Sequence, residues 1–305
     1  MGEVVVVKWG RQWQQKKMGD EITALREIIK DLINTDHFDE VSLVDNAKTT
    51  IAIVLQQIGC SFVDGKSITR TTTTIAIILN NNDIVLMLHC AFQATKISIQ
   101  VYFTHAGGSV IEENPKKSID EGKSNGRTIR LAIIDHITPI PSIVIPVKEI
   151  VRICRTEGIK HVFVNAAHAI GSIKVDVEEV GADFYVSNLH KWFFCLAFVA
   201  FLYCKKSNSS SDLHHPVVSH EYGNGLPIKS AWIRTRDYSS QLVVSTVLEF
   251  IDKFEGWIAG ILKKNRDEVV KMGKMLAEYW GTNLVSPPEM SVVMIMKSKH
   301  LYYGS

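Results

Sequence analysis

Short, nearly unbroken apolar runs recur along this chain, and each stops at a polar residue. Residues 83–88 run into His89-Cys90-Ala91-Phe92-Gln93, and residues 130–135 into His136-Ile137-Thr138-Pro139. Residues 161–164 stop at Asn165-Ala166-Ala167-His168, and residues 182–186 at Ser187-Asn188-Leu189-His190-Lys191. A strand with one wet face alternates apolar and polar side chains, so a run without alternation must be covered on both faces. Helical spacing separates the runs: residues 20–34 place apolar positions behind a capping Asp20, residues 51–58 form an apolar helix, and residues 146–158 start on a proline and stop on a glycine. Strands at residues 40–44 and 197–204, and a mainly helical stretch from 239 to 283, complete the reading. Alternation of this kind predicts an α/β fold with a mostly parallel sheet sandwiched by helices.

With 46% hydrophobic and 22% charged residues, 305 residues suffice for one large core plus a small appended unit. Thirty-four basic against 32 acidic residues leave a net charge of +2, too balanced for nucleic acid or an anionic membrane to be the main partner. Cys60, Cys90, Cys154, Cys195 and Cys204 form no CxxC pair and are odd in number, which argues against a disulfide framework or a structural zinc site. The N-terminus lacks the basic and long apolar regions of a secretory signal, and the longest apolar run, residues 192–204, is too short to span a bilayer. A cytoplasmic protein is expected.

The chemistry is expected where the strands end, because open α/β sheets bind ligands at the carboxyl ends of their strands. Lys191 follows an apolar strand and precedes Trp192-Phe193-Phe194. A lysine partly desolvated in that way has a lowered pKa and a free amine able to form a Schiff base, whereas most lysines are solvated surface charges. Asn165 and His168 end a second strand, aiming an amide and an imidazole at the same place. Asp45-Asn46-Ala47-Lys48-Thr49-Thr50 lies between a strand and a helix, a geometry that presents backbone N–H groups to a phosphate, though Asp45 or Asn46 could equally be a plain cap. His214, His215 and His220 lack the H-E-x-x-H spacing of a metal site and read as loop and packing residues, so no metal is expected.

Four motifs then appear in one order: Asn165-Ala166-Ala167-His168, Ser187-Asn188-Leu189-His190-Lys191-Trp192, the stretch from Asp212 to Gly223, and Thr235-Arg236-Asp237-Tyr238-Ser239. Together they resemble the class V aminotransferase family, and within it the plant L-cysteine desulfhydrases, relatives of isopenicillin N epimerase. The similarity runs from about Ile28 to about Met290. It implies a type I pyridoxal-phosphate fold with a seven-stranded-type sheet: an atypical segment over residues 1–27, a cofactor-binding large domain over 28–250, and a helical linker with the start of a small domain over 251–305. The resemblance implies that Lys191 holds pyridoxal 5'-phosphate covalently, and that Asn188 and His190 lie near its phosphate. It implies further that His168 bonds the phenolic oxygen, that Phe92 lies against the ring, and that Ala47, Lys48 and Thr49 form the phosphate turn, with Thr138 near the ring. Thr235 matches a residue that reaches the neighbouring subunit's cofactor, so a homodimer is implied. The expected reaction converts cysteine to sulfide, pyruvate and ammonia, with no cysteine of the enzyme needed as a persulfide carrier.

Some positions depart from the family. Asn165 stands where the family has an aspartate that keeps the pyridine nitrogen protonated, and losing such an ion pair weakens the electron sink by roughly several kcal/mol. Lys48 replaces a threonine, Leu196-Ala197 a proline pair, and Arg234 a glycine. The small domain, with its arginine for the substrate carboxylate, is expected to be largely missing after about Lys297. An impaired lyase is therefore expected. Two alternatives stand beside it: a pyridoxal-phosphate-binding or dimerising pseudoenzyme, and an epimerase or aminotransferase of the same family.

Overall fold

The apolar runs assemble into one seven-stranded sheet in the computed structural model, in the order β1-β7-β6-β5-β4-β2-β3. The strands are β1 (Val41–Val44), β2 (Asp83–Met87), β3 (Ser109–Ile111), β4 (Thr128–Asp135), β5 (His161–Asn165), β6 (Phe184–Asn188) and β7 (Ala200–Cys204). The structure describes residues 2–59, 83–88, 91–104, 109–111, 128–140, 142–206, 213, 215–217, 225–231, 233, 236–284, 287 and 290. Strands β3, β2, β4, β5 and β6 run parallel, while β7 is antiparallel to both of its neighbours, β6 and β1. A mostly parallel sheet is thus present as expected, with one reversed strand.

Helices cover both faces, which is why the strands read as unbroken apolar runs. On β4, Ala132 and Ile134 join one core with Val162 and Val164 of β5, while Leu131 and Ile133 join the other with Phe163. The first core is closed by α1 (Gly2–Leu32) through Ile22, Leu25 and Ile29, and by α4 (Val147–Thr156) through Val147, Val151 and Cys154. The second is closed by α2 (Ala47–Gly59) through Ile51, Val54 and Leu55, and by α3 (Gln93–Thr104) through Ile99. Helix α1 passes residue 28 without a break, so Ile22 and Leu25 share one core with Ile29 and Ile33. Arg26 fastens that helix to the sheet edge: its buried guanidinium donates to the carbonyls of Val41 (2.7 Å) and Phe38 (2.9 Å).

Two one-turn helices follow in the chain, α5 (Val177–Val180) and α6 (Leu189–Trp192). The C-terminal part is helical as predicted, with α7 (Leu226–Ala231), α8 (Ser239–Leu242), α9 (Val244–Ile251) and α10 (Trp257–Tyr279). Among the described residues no helix is long and apolar enough to cross a membrane.

Candidate active site

Parallel pairing brings three polar strand ends to one edge. Asp135 at the end of β4 pairs with Asn165 at the end of β5, Asn165 pairs with Val186, and β6 stops two residues later at Asn188. The single turn of α6 starts at once and carries His190 and Lys191 over that edge. The turn can sit so close because Gly171 has no side chain: with φ of +81°, a Cβ there would lie 2.0 Å from the Trp192 carbonyl oxygen. The result is a cavity of about 320 Å³ at the carboxyl ends of the strands.

Of the predicted residues, Ala47, Lys48, Phe92, Asn165, His168, Asn188, His190 and Lys191 all line this cavity. Thr49 and Thr138 do not. The Thr49 N–H donates to Asn46 Oδ1 at 3.0 Å, capping α2, and the Thr138 hydroxyl accepts from the Ile143 N–H at 3.0 Å in the turn after β4. Thr235 lies outside the described residues, as do Arg234, His214, His220, Cys60 and Cys90. The described flanks of Thr235 are well held: Arg236 pairs with Asp45 on the cavity wall at 2.6 Å and lies 4.9 Å from the Tyr238 ring centroid, while the Tyr238 hydroxyl accepts from the Ile233 N–H.

The N-terminus of α2 is less open than the sequence suggests. Asn188 Oδ1 accepts the Ala47 N–H at 3.0 Å and Asn46 takes that of Thr49, which leaves the N–H of Lys48 as the donor of the first turn for a ligand. Asn188 therefore ties the end of β6 to the start of α2. His190 is turned away from free rotation by a 2.8 Å hydrogen bond between its Nδ1 and the Val199 carbonyl, which makes Nδ1 the donor.

Around Lys191 the hydrogen bonds determine a protonation state. The Trp192 indole N–H, which can only donate, gives its hydrogen to His168 Nδ1 at 3.1 Å. A neutral imidazole accepting at Nδ1 carries its proton on Nε2, and Nε2 lies 2.8 Å from Lys191 Nζ. The lysine must then accept, as a neutral amine. Burial favours the same state on both sides: it lowers the Lys191 pKa against the pull of Asp135, and it is the larger cause lowering that of His168. Lys191 as a whole residue still opens into the cavity, its Nζ 5.9 Å from the Phe92 ring centroid.

Sequence reasoning passed over Asp135, although the criterion that found Asn165, a polar residue closing an apolar strand, fits it equally. Its Oδ1 accepts from Asn165 Nδ2 at 2.6 Å and its Oδ2 from the Phe92 backbone N–H at 2.9 Å. Burial pushes its carboxyl up to about 6, against the Phe92 N–H, the Asn165 amide and Lys191, which all favour the ionised form. Asn165 Oδ1 is buried and has no hydrogen-bond partner among the described residues. Two of the described cysteines are poor nucleophiles: burial pushes Cys195 up to about 12 and Cys154 up to about 11.

A lysine amine one turn beyond a parallel strand, facing a helix N-terminus and an aromatic ring, defines the class, and the chain belongs to the class-V aminotransferase family, which matches residues 7–218. It is 54% identical over 316 residues to L-cysteine desulfhydrase of Arabidopsis thaliana, an alignment taking in 95% of this chain and 67% of that protein. It is 52% identical over 292 residues to a probable chloroplastic L-cysteine desulfhydrase of the same plant, with 90% of this chain and 59% of that one covered. Among solved structures, the apo cysteine desulfurase of Thermococcus onnurineus NA1 superposes with a TM-score of 0.72 at 15% identity, over 94% of this chain and 70% of the other. That last likeness concerns the fold. The chain spans 67% and 59% of the length of the two plant relatives.

Proposed function

We propose that this chain carries the cofactor site of a pyridoxal-phosphate-dependent carbon–sulfur lyase that converts L-cysteine and water to sulfide, pyruvate and ammonia. The observation that carries this reading is the partly desolvated Lys191 amine, 2.8 Å from His168 Nε2 at the carboxyl edge of the sheet. Identity of 54% to an L-cysteine desulfhydrase supports the substrate and the reaction.

The residues present fit the cofactor. Asn165 Oδ1 is a buried acceptor, Phe92 offers a ring face, and the Lys48 N–H and ammonium offer donor and positive groups for a phosphate. When bound, pyridoxal 5'-phosphate supplies the electron sink for cleavage of bonds at the substrate α-carbon. Lys191 would be the residue that holds the cofactor's aldehyde and, with its amine free, would serve as the base for the substrate α-proton. His168 would keep that amine neutral through its Nε2–H and would be the residue placed to bond the cofactor's phenolic oxygen. Phe92 and Phe198 contribute aromatic walls to the cavity. The buried thiol of Cys195, near the lysine in sequence, is held protonated and would not serve as a sulfur acceptor.

The assembly is a homodimer in this reading, supported by the exposed apolar rim of Phe194, Leu196 and Phe198 beside the cavity. Light scattering of the full chain tests it, a monomeric mass counting against it. Reconstitution followed by borohydride reduction tests the site: a stable adduct on Lys191, lost in Lys191→Ala together with sulfide release from cysteine, is the expected result. An unmodified Lys191 would refute the proposal.

A further inference from the structure

Asp135 has no assigned task beyond lining the cavity, and its hydrogen bonds with Asn165 and Phe92 are restrictive. An ionised carboxylate only accepts, so Asp135 compels Asn165 to present Nδ2 to it, at 2.6 Å. The other carboxylate oxygen is held by the Phe92 N–H, which prevents the acid from turning away. Asn165 Oδ1 must then face away from Asp135, and it is left unpartnered among the described residues in a side chain only 5% exposed. Buried acceptors are nearly always satisfied and Asn165 lines the cavity, so an N–H of a group bound there is the donor that this oxygen lacks among the described residues.

We propose that Asp135 is a positioning residue that acts through Asn165: it orients the amide so that its oxygen selects the protonated form of the cofactor's ring nitrogen, and it lends that nitrogen its negative charge across the amide. The inference rests on the cofactor reading of the previous section. An amide free to turn would offer either its oxygen to a protonated ring or its NH₂ to an unprotonated one. Asp135 removes the second choice. The polarised chain of carboxylate, amide and ring N–H thereby restores part of what a direct carboxylate partner would give, since hydrogen bonds in series strengthen one another. Burial of Asp135 makes it responsive, because a cation arriving one amide away favours its ionised form.

The test uses the full chain reconstituted with pyridoxal 5'-phosphate labelled with nitrogen-15 in the ring, compared with Asp135→Asn. Nitrogen NMR reads the ring directly, without turnover. The expected result is a protonated ring nitrogen in the parent protein, with its titration midpoint lowered by at least one pH unit, a tenfold change in proton affinity, in Asp135→Asn. An unprotonated ring in the parent, or the same midpoint in both proteins, would overturn the inference. A second measurement needs no variant: the carboxyl carbon of Asp135, followed with carbon-13 aspartate, should titrate at lower pH with cofactor than without, and an unchanged midpoint would again overturn it. Borohydride trapping on Lys191 separates the two levels. An adduct with no Asp135 effect ends only the relay, whereas no adduct ends the cofactor reading and the relay with it.

Discussion

Trp192→Phe is the sharpest probe of how the reactive amine is kept ready. Phenylalanine keeps an aromatic ring above His168, whose centroid lies 6.5 Å from that of Trp192, but deletes the one N–H that forces His168 to accept at Nδ1. His168 is then free to carry its proton on Nδ1 and accept at Nε2 from a Lys191 ammonium, so the charged lysine is relieved of a penalty. Because Trp192 is 43% exposed, the lost bond is assigned the ordinary net value of about 1 kcal/mol rather than the larger one of a sealed site. Divided by roughly 1.4 kcal/mol per pKa unit, that raises the lysine by about 0.7 unit and reduces its neutral fraction about fivefold at pH values below its midpoint. The assay is the second-order rate of pyridoxal-phosphate attachment to the apo chain against pH, each point quenched with borohydride and counted on Lys191. The variant's midpoint should lie about 0.7 unit higher with the same alkaline plateau. In a His168→Gln background the tryptophan change should have no further effect, since the tautomer it controls is gone. An unmoved midpoint refutes the reasoning, and a plateau that falls with an unmoved midpoint shows that Trp192 only packs.

Much of this site was legible in the sequence, because its residues obey one rule: each closes an apolar strand or follows within one turn of its end, and parallel strands must end at the same edge. Asn165, Asn188 and Lys191 follow from it directly, and the structure places all three on one cavity. Asp135 obeys the same rule yet is masked by its neighbour, since His136 and the turn to Thr138 draw attention past it. Its importance becomes visible only from the register that sets it opposite Asn165. Strand direction was illegible for a different reason: β7 is reached from α6 through residues 193–199, too short a connection for a parallel crossover, but the apolar residues of that loop read as strand. Phe198 is the example, 67% exposed and with φ of +67°, a loop residue with a core residue's composition. The tautomer of His168 could not be read at all, because it depends on an indole 24 positions away in sequence. The same holds for Gly171, whose lack of a side chain matters only once the Trp192 carbonyl is seen against it.

Gly171→Ala should lower the thermal midpoint sharply and abolish lysine trapping, because the new methyl group meets backbone 2.0 Å away at a positive φ; a midpoint within a degree or two of the parent's would show that the turn is soft. Stability should also depend on acid in a way that the buried groups dictate. His136, whose Nδ1 lies 2.8 Å from the Tyr185 hydroxyl, is lowered by burial to about 4. Its contribution is complete above the unfolded value of about 6.5 and is lost as pH falls through about 4, on the order of 3 kcal/mol in all. His168 has the same sign over the same window. Asp135, raised to about 6, has the opposite sign: its contribution is present below about 4 and lost as pH rises through about 6. Urea midpoints should therefore fall from pH 6.5 to pH 4, because two histidines outweigh one aspartate. In Asp135→Asn the fall should be steeper, since the opposing group is gone, and a variant with a shallower slope than the parent would show that Asp135 is ionised in the folded apo chain well below pH 6.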